Sequence, residues 1–202
     1  MDLVYVTGNK GKYISIKELI EKENIDVDFF FYDFDEPDIN DIEIISKEKV
    51  LNAYRLVKKP CFVADSGFFI DDYPGNPGYP GAFVKRSGIA DNVEELLKVM
   101  SNIQNRHCKF MDCLTFYDGS DFYRFYGVSE GTLSYEKRGN NINKAKSNLW
   151  YVFIPVNQNK TLAEMSDYER THRNDNHISA SESFVSWYKN IYSKQKKIVL
   201  KQ

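Results

Sequence analysis

Several things are scarce in this chain of 202 residues, and each scarcity excludes something. Three cysteines, Cys61, Cys108 and Cys113, make an odd number with no CxxC pair, which argues against a disulfide framework or a thiolate zinc site. Free buried thiols in a reducing cytosol are expected. A Cys–His nucleophile pair is also disfavoured, because His107 beside Cys108 in a strand points to the opposite face. Long apolar runs are missing: the longest, Leu149 to Ile154, has six residues, against the ~20 that span a bilayer. The opening Met-Asp-Leu-Val-Tyr-Val-Thr-Gly lacks the basic start and apolar stretch of a secretory signal, so a cytoplasmic protein with no membrane partner is expected. An excess of one charge is missing too. Lys and Arg total 27 against 29 Asp and Glu, a net charge of −2, which excludes a basic nucleic-acid coat and an acidic tail.

Rings are abundant: 14 Phe, 14 Tyr and 2 Trp make the chain 15% aromatic. Large rings bury much area per residue, so a core is within reach of an otherwise modest apolar content. No internal repeat and no low-complexity linker divides the chain, and a single domain over residues 1–202 is expected. Leu3-Val4-Tyr5-Val6 reads as a strand, stopped by Thr7-Gly8-Asn9-Lys10-Gly11-Lys12, after which Ile14, Leu19 and Ile20 among charged residues read as an amphipathic helix. Val27 to Tyr32 reads as a second strand and Ile45 to Val57 as a helix. Cys61 to Ala64 reads as a third strand that ends at Asp65-Ser66-Gly67. Three of the six prolines fall between Tyr73 and Gly81, which marks a loop. Asn92 to Met100 is helical by its spacing, and Lys109–Tyr117, Phe122–Gly127 and Gly131–Tyr135 read as successive strands. From Ser179 a last helix carries Phe184, Trp187, Tyr188 and Ile191 on one side, with Ser179 and Glu182 spaced as a capping box. Alternating strands and helices followed by clustered strands predict an α/β fold with a mixed sheet.

The turn after the first strand opens a helix, so its N–H groups form a natural anion site to which Lys10 and Lys12 add charge and Thr7 and Asn9 add side-chain hydrogen bonds. It has neither the P-loop nor the GxGxxG spacing, and an ordinary βα turn with solvated lysines reads the same way. Asp65 falls at the expected end of the third strand, where α/β sheets place ligands, and Glu36 follows the second strand. A phosphate site with carboxylates nearby has the parts for metal-assisted phosphoanhydride hydrolysis.

These features, with others in order along the chain, resemble the inosine triphosphate pyrophosphatases, which act on modified-purine nucleoside triphosphates. The resemblance rests on Val4-Tyr5-Val6-Thr7-Gly8-Asn9 with Lys12, Phe62-Val63-Ala64-Asp65-Ser66-Gly67, Asn76-Pro77-Gly78, Phe125-x-Gly127-x-x-x-Gly131, Arg138-Gly139, and Phe153-Ile154-Pro155 with Lys160-Thr161-Leu162-Ala163-Glu164-Met165. It implies an elongated mixed sheet flanked by helices, two lobes with a nucleotide cleft, a homodimer, and Mg²⁺-dependent release of pyrophosphate, with Mn²⁺ as the alternative ion. By position, Thr7, Asn9 and Lys12 hold the phosphates, with Lys10, Ser66 and Gly67 beside them. Glu36 contributes to the metal site, and Asp65 holds metal or activates water.

Three departures fall where chemistry or base choice is set. The family pattern has two consecutive acids before Ser-Gly, and here the first position is Ala64, with Glu43, Asp71 and Asp72 as candidate substitutes. The family's aromatic base-stacking loop is replaced by Lys146 to Val152, which leaves Trp150 as the stacking candidate and the core as its other destination. The base-reading Ser-His-Arg has two partial images: Arg170 with Thr171-His172-Arg173, and Asn176-His177-Ile178-Ser179. The second keeps the start of the last helix, with His172 and Arg173 then in an inserted loop. A nucleoside triphosphate pyrophosphatase with altered base preference is the leading expectation. A hydrolase of another phosphorylated nucleotide and a nucleotide-binding module without turnover are the alternatives.

Overall fold

A computed structural model describes residues 3–140, 147–173 and 177–193. Lys146 and Asn176, quoted above, lie outside the described residues. The elements in chain order are β1 (Leu3–Val6), α1 (Lys10–Lys22), β2 (Val27–Phe30), α2 (Ile42–Val57), β3 (Cys61–Ile70), β4 (Pro80–Gly81), α3 (Val93–Val99), β5 (His107–Tyr117), β6 (Phe122–Leu133), a 3₁₀ turn (Asn148–Tyr151), β7 (Phe153–Pro155), α4 (Asp167–Thr171), α5 (Ala180–Trp187) and a π-helical turn (Tyr188–Tyr192). The strands form one mixed sheet in the order β2-β1-β3-β5-β6-β7, with β4 also pairing β3. β1 is parallel to both β2 and β3, while β3–β4 and β6–β7 are antiparallel. The mixed α/β sheet read from the sequence is the sheet that forms.

The chain divides into two compact units. The first comprises the chain up to Asp65, Asp112–Gly127 and the chain from Ile178 onward; the second comprises Ser66–Met111 and Val128–His177. In the first unit, Leu3, Tyr5, Phe62, Leu114 and Phe116 bury one face of the sheet against Ile16 and Ile20 of α1 and against Phe184, Val185, Tyr188 and Tyr192. Val4, Val6, Cys61 and Val63 bury the opposite face against Val50 and Ala53 of α2. Strand alternation places Val4 and Val6 opposite Leu3 and Tyr5, so four consecutive apolar residues serve two cores. In the second unit, Phe68, Ile70, Cys108, Leu133 and Phe153 pack with Val93 and Leu96 of α3 and with Leu162 and Met165. All three cysteines are buried and free.

Three readings need correction. β3 does not stop at Asp65-Ser66-Gly67 but continues to Ile70; Phe68 and Phe69 pair with Gly81 and Pro80 of β4, which extends the ladder. Gly67 permits this, since a Cβ there would lie 2.9 Å from the Gly81 carbonyl oxygen. β6 is one strand rather than two, running from Phe122 through Gly127 and Gly131 to Leu133. Those two glycines mark close approaches instead of breaks: a Cβ on Gly127 would meet Ala180 N at 2.6 Å, and one on Gly131 would meet Ile154 O at 2.4 Å. Finally, Ile191 is 48% exposed while Tyr192 is buried. The π-helical turn widens the backbone spacing there and rotates the apolar stripe by one residue.

Candidate active site

The residues expected to hold phosphate start from the end of β1. Thr7 continues the ladder past the strand, its N–H donating to Phe30 O (3.1 Å) and its carbonyl accepting from Tyr32 N (3.3 Å). Its Oγ1 accepts from Asn9 N (3.1 Å), and Asn9 Oδ1 accepts from Lys12 N (3.0 Å), capping α1. Gly8 is required by proximity, because a Cβ there would come within 2.8 Å of Asp33 Cβ. Lys10 stays exposed on the first turn of α1.

Lys12, one turn further, turns inward and donates from Nζ to the backbone oxygen of Ala64 (2.8 Å). Burial pulls its ammonium below the ordinary lysine range, against the opposing pull of Asp65, Asp112 and Glu36. A short step away in the same unit, Lys49 of α2 donates to Glu36 Oε1 (2.6 Å) and Asp65 Oδ1 (2.5 Å). Burial lowers the Lys49 ammonium, but the two carboxylates more than offset it, so it titrates above the ordinary range. Asp65 Oδ2 is buried without a hydrogen-bond partner. A buried carboxylate oxygen with free lone pairs is costly, and such an atom points to a donor or cation that completes it.

Lys49 is the residue that sequence reasoning missed. Its signal was present, since Ile42, Ile45, Ser46, Val50 and Ala53 form the buried stripe of α2 and Lys49 falls within that stripe at helical spacing. A lysine placed among buried positions needs carboxylate partners.

The structure thus brings Thr7, Asn9, Lys12, Glu36 and Asp65 into one unit. Ser66 and Gly67 belong to the second unit, as do the residues expected to meet a base. Trp150 lies half-buried against that unit's core, with the Arg170 guanidinium 5.4 Å from its ring. Arg170 itself donates to the Leu162 oxygen (3.0 Å), to the Met165 oxygen and to Asp167. His172 caps α4, its ring stacked on Tyr168 and its Nδ1 3.0 Å from Tyr168 O. Arg173 is half-buried, and His177 Nδ1 lies 2.7 Å from Val128 O. Of the acids considered as substitutes at position 64, Glu43 lies 4.0 Å from Arg124, and Asp71 pairs with His107 in the second unit. Asp72 is exposed in the turn after β3.

Known proteins share this arrangement of elements. The model of the Ham1 family matches residues 3–187. A dITP/XTP pyrophosphatase of Saccharolobus solfataricus is 33% identical over 165 residues, covering 82% of each chain. One of Pyrococcus horikoshii is 28% identical over 194 residues, covering 94% of this chain and 97% of its own. The solved structure of a HAM1 protein from Coxiella burnetii superposes with a TM-score of 0.76 at 18% identity, over 96% of this chain and 99% of that one. With a family model matching residues 3–187 and a relative 33% identical over 82% of each chain, the chain belongs to the Ham1 family.

Proposed function

We propose that this protein is a nucleoside triphosphate pyrophosphatase that cleaves between the α and β phosphates and releases pyrophosphate, with a base preference altered from that of its relatives. One observation carries the reading: Lys12 and Lys49, two largely buried ammonium groups, sit with Glu36 and a half-satisfied Asp65 in the same unit as the N-terminus of α1. Preorganised cations and N–H donors in a dry site stabilise developing phosphate charge far more strongly than they would in water. Asp65 Oδ2, which has no donor of its own, can accept a hydrogen bond from the attacking water and align it.

Glu36 and Asp65 also suit a divalent ion. Mg²⁺ prefers oxygen donors, keeps several waters and is commonly held by one or two carboxylates plus substrate phosphates. Two carboxylates with one orphan oxygen match that donor set, and among the described residues no fuller cage of His, Cys, Asp and Glu exists. The bound ion would neutralise charge on the phosphate oxygens.

Support for an altered base preference comes from the second unit, where Arg170 is engaged with backbone carbonyls and Asp167, and from Ala180-Ser181 standing where the family pattern has His-Arg. A buried polar group lost from a base pocket changes discrimination by orders of magnitude. Ala64 favours a second reading, nucleotide binding without turnover. Incubation with a panel of nucleoside triphosphates in Mg²⁺ and Mn²⁺, with products identified by mass, decides among these. Pyrophosphate and a monophosphate are expected. Orthophosphate or free base would favour another hydrolase, and calorimetric binding with no product would favour the binding module. The homodimer implied by the family resemblance is tested by light scattering on the purified chain. Among the described residues no helix is long and apolar enough to cross a membrane.

A further inference from the structure

Position 64 lacks the acid that the sequence pattern leads one to expect, yet the lysine beside it is largely buried. Lys12 Nζ is 2.8 Å from the Ala64 carbonyl oxygen, a neutral acceptor, and an ammonium out of water needs a full negative charge nearby. Asp65 is shared: its Oδ1 is engaged by Lys49 at 2.5 Å.

Another carboxylate lies on the face that Lys12 occupies. Leu114 of β5 packs in the same cluster as Phe62, Tyr5, Ile16 and Ile20, with Ala64 at its margin. Strand alternation puts Asp112, two residues earlier in β5, on that face. Asp112 is half-buried, and among the described residues it has no hydrogen bond or ion pair of its own. Its charge acts on Lys12 and on Tyr5. Tyr5 is fully buried. An ammonium from α1, a phenol from β1 and a carboxylate from β5 are therefore gathered on one face of the first unit, around the place that Ala64 leaves apolar.

We propose that Asp112 is a positioning residue, the counter-charge that keeps Lys12 charged and aimed at phosphate, supplying from β5 the negative charge that Ala64 leaves out of β3. The inference rests on the reading of Lys12 as a phosphate ligand.

Relocating the charge tests it. Wild type, Asp112→Asn and Asp112→Asn with Ala64→Asp are compared by calorimetric binding of inorganic pyrophosphate and by separate KM and kcat for pyrophosphate release, with circular dichroism as the check on folding. Asp112→Asn is expected to weaken pyrophosphate binding and raise KM by about tenfold, which corresponds to about 1.4 kcal/mol, with a smaller change in kcat. Returning a carboxylate at position 64 is expected to restore both to within about threefold of wild type, a rescue that a packing role for Asp112 would not produce. Should the Asn variant misfold, Asp112→Ser makes the same comparison. Unchanged binding in Asp112→Asn, or a folded double variant without recovery, overturns the inference. Wild type that binds no pyrophosphate overturns the phosphate reading of Lys12 itself, and this inference with it.

Discussion

Each unit of the protein holds a basic side chain between two carboxylates, and burial separates the two cases. In the first unit Lys49 bridges Glu36 and Asp65 with side-chain exposures of 13%, 28% and 9%. In the second unit His107 stands between Asp71, 2.7 Å from Nδ1, and Glu130, 3.0 Å from Nε2, with exposures of 39%, 45% and 42%. Water reaches most of the second trio, although Glu130 Oε2 is itself buried, so its contribution falls toward the small range typical of surface pairs. The first trio is largely dehydrated, so each charge depends on the others and none can be removed cheaply. That dependence would suit the proposed phosphate site, where an entering anion would find ammonium groups already fixed and poorly solvated, with little reorganisation left to do. The difference lies in surroundings and not in residue type, since both trios are one base and two acids.

The largest expected effect comes from stripping the buried cation. Lys49→Met removes the cation that bridges Glu36 and Asp65 and should cost about 3–5 kcal/mol of unfolding free energy, the range for breaking a buried pair, read from urea denaturation. A loss below about 1 kcal/mol would place the first trio with the exposed one and end the contrast. Combining Lys49→Met with Asp65→Asn should recover part of the loss, because the orphaned charge is then gone.

Function sharpens the same contrast. Lys12→Ala and Asp65→Asn should each lower pyrophosphate release by about 10²–10³-fold, as for removal of one preorganised stabilising group, with circular dichroism unchanged. Full activity in both variants would dissociate the buried charges from chemistry.

Arg106 supplies an intermediate case, a buried cation satisfied by neutral acceptors. Its guanidinium donates to the carbonyls of Leu133, Ser134 and Met100 at 2.9, 2.7 and 2.6 Å. Arg106→Lys cannot reproduce that fork and should destabilise by about 1–3 kcal/mol in thermal unfolding. A neutral result would mean that burial alone does not set the cost. The smallest effect is reserved for the exposed trio: His107→Gln should change stability by less than about 1 kcal/mol, and the difference should vanish in 1 M salt, where the Debye length is about 3 Å. A larger change that persists in salt would show the two trios to be alike.

Much of the first unit was legible in the sequence because its signals are local. Thr7-Gly8-Asn9 followed by Lys12 announces a strand that turns into a helix, and the cap at Ser179 forms as its spacing suggests, while Asn9, read for its side-chain hydrogen bonds to an anion, also caps α1. Asp65 was recognisable as a site candidate, although its place was misjudged. The stop expected at Ser66-Gly67 was local reasoning applied where a neighbouring strand decides, since pairing with β4 carries β3 on to Ile70. Gly127 and Gly131 misled for a related reason. In sequence a glycine suggests a break, whereas here each makes room for backbone from elsewhere in its own unit.

Sequence by itself determined the fold class, the βα turn with its capped helix, and the identity of the acids and bases available, because strand and helix periods, caps and turn chemistry act over a few residues. Which charges meet was decided by tertiary structure alone. Lys49 reaches Glu36 and Asp65 across 13 and 16 residues, and Lys12 reaches the carbonyl of Ala64 across 52. No local period encodes such pairings; they follow from packing α1 and α2 onto opposite faces of β1 and β3 and from the exclusion of water that this packing brings. Near-neutrality, with 27 bases against 29 acids, said that no face need be strongly charged. The folded chain spends that balance unevenly, burying a few of its charges as partners and leaving many of the others to solvent.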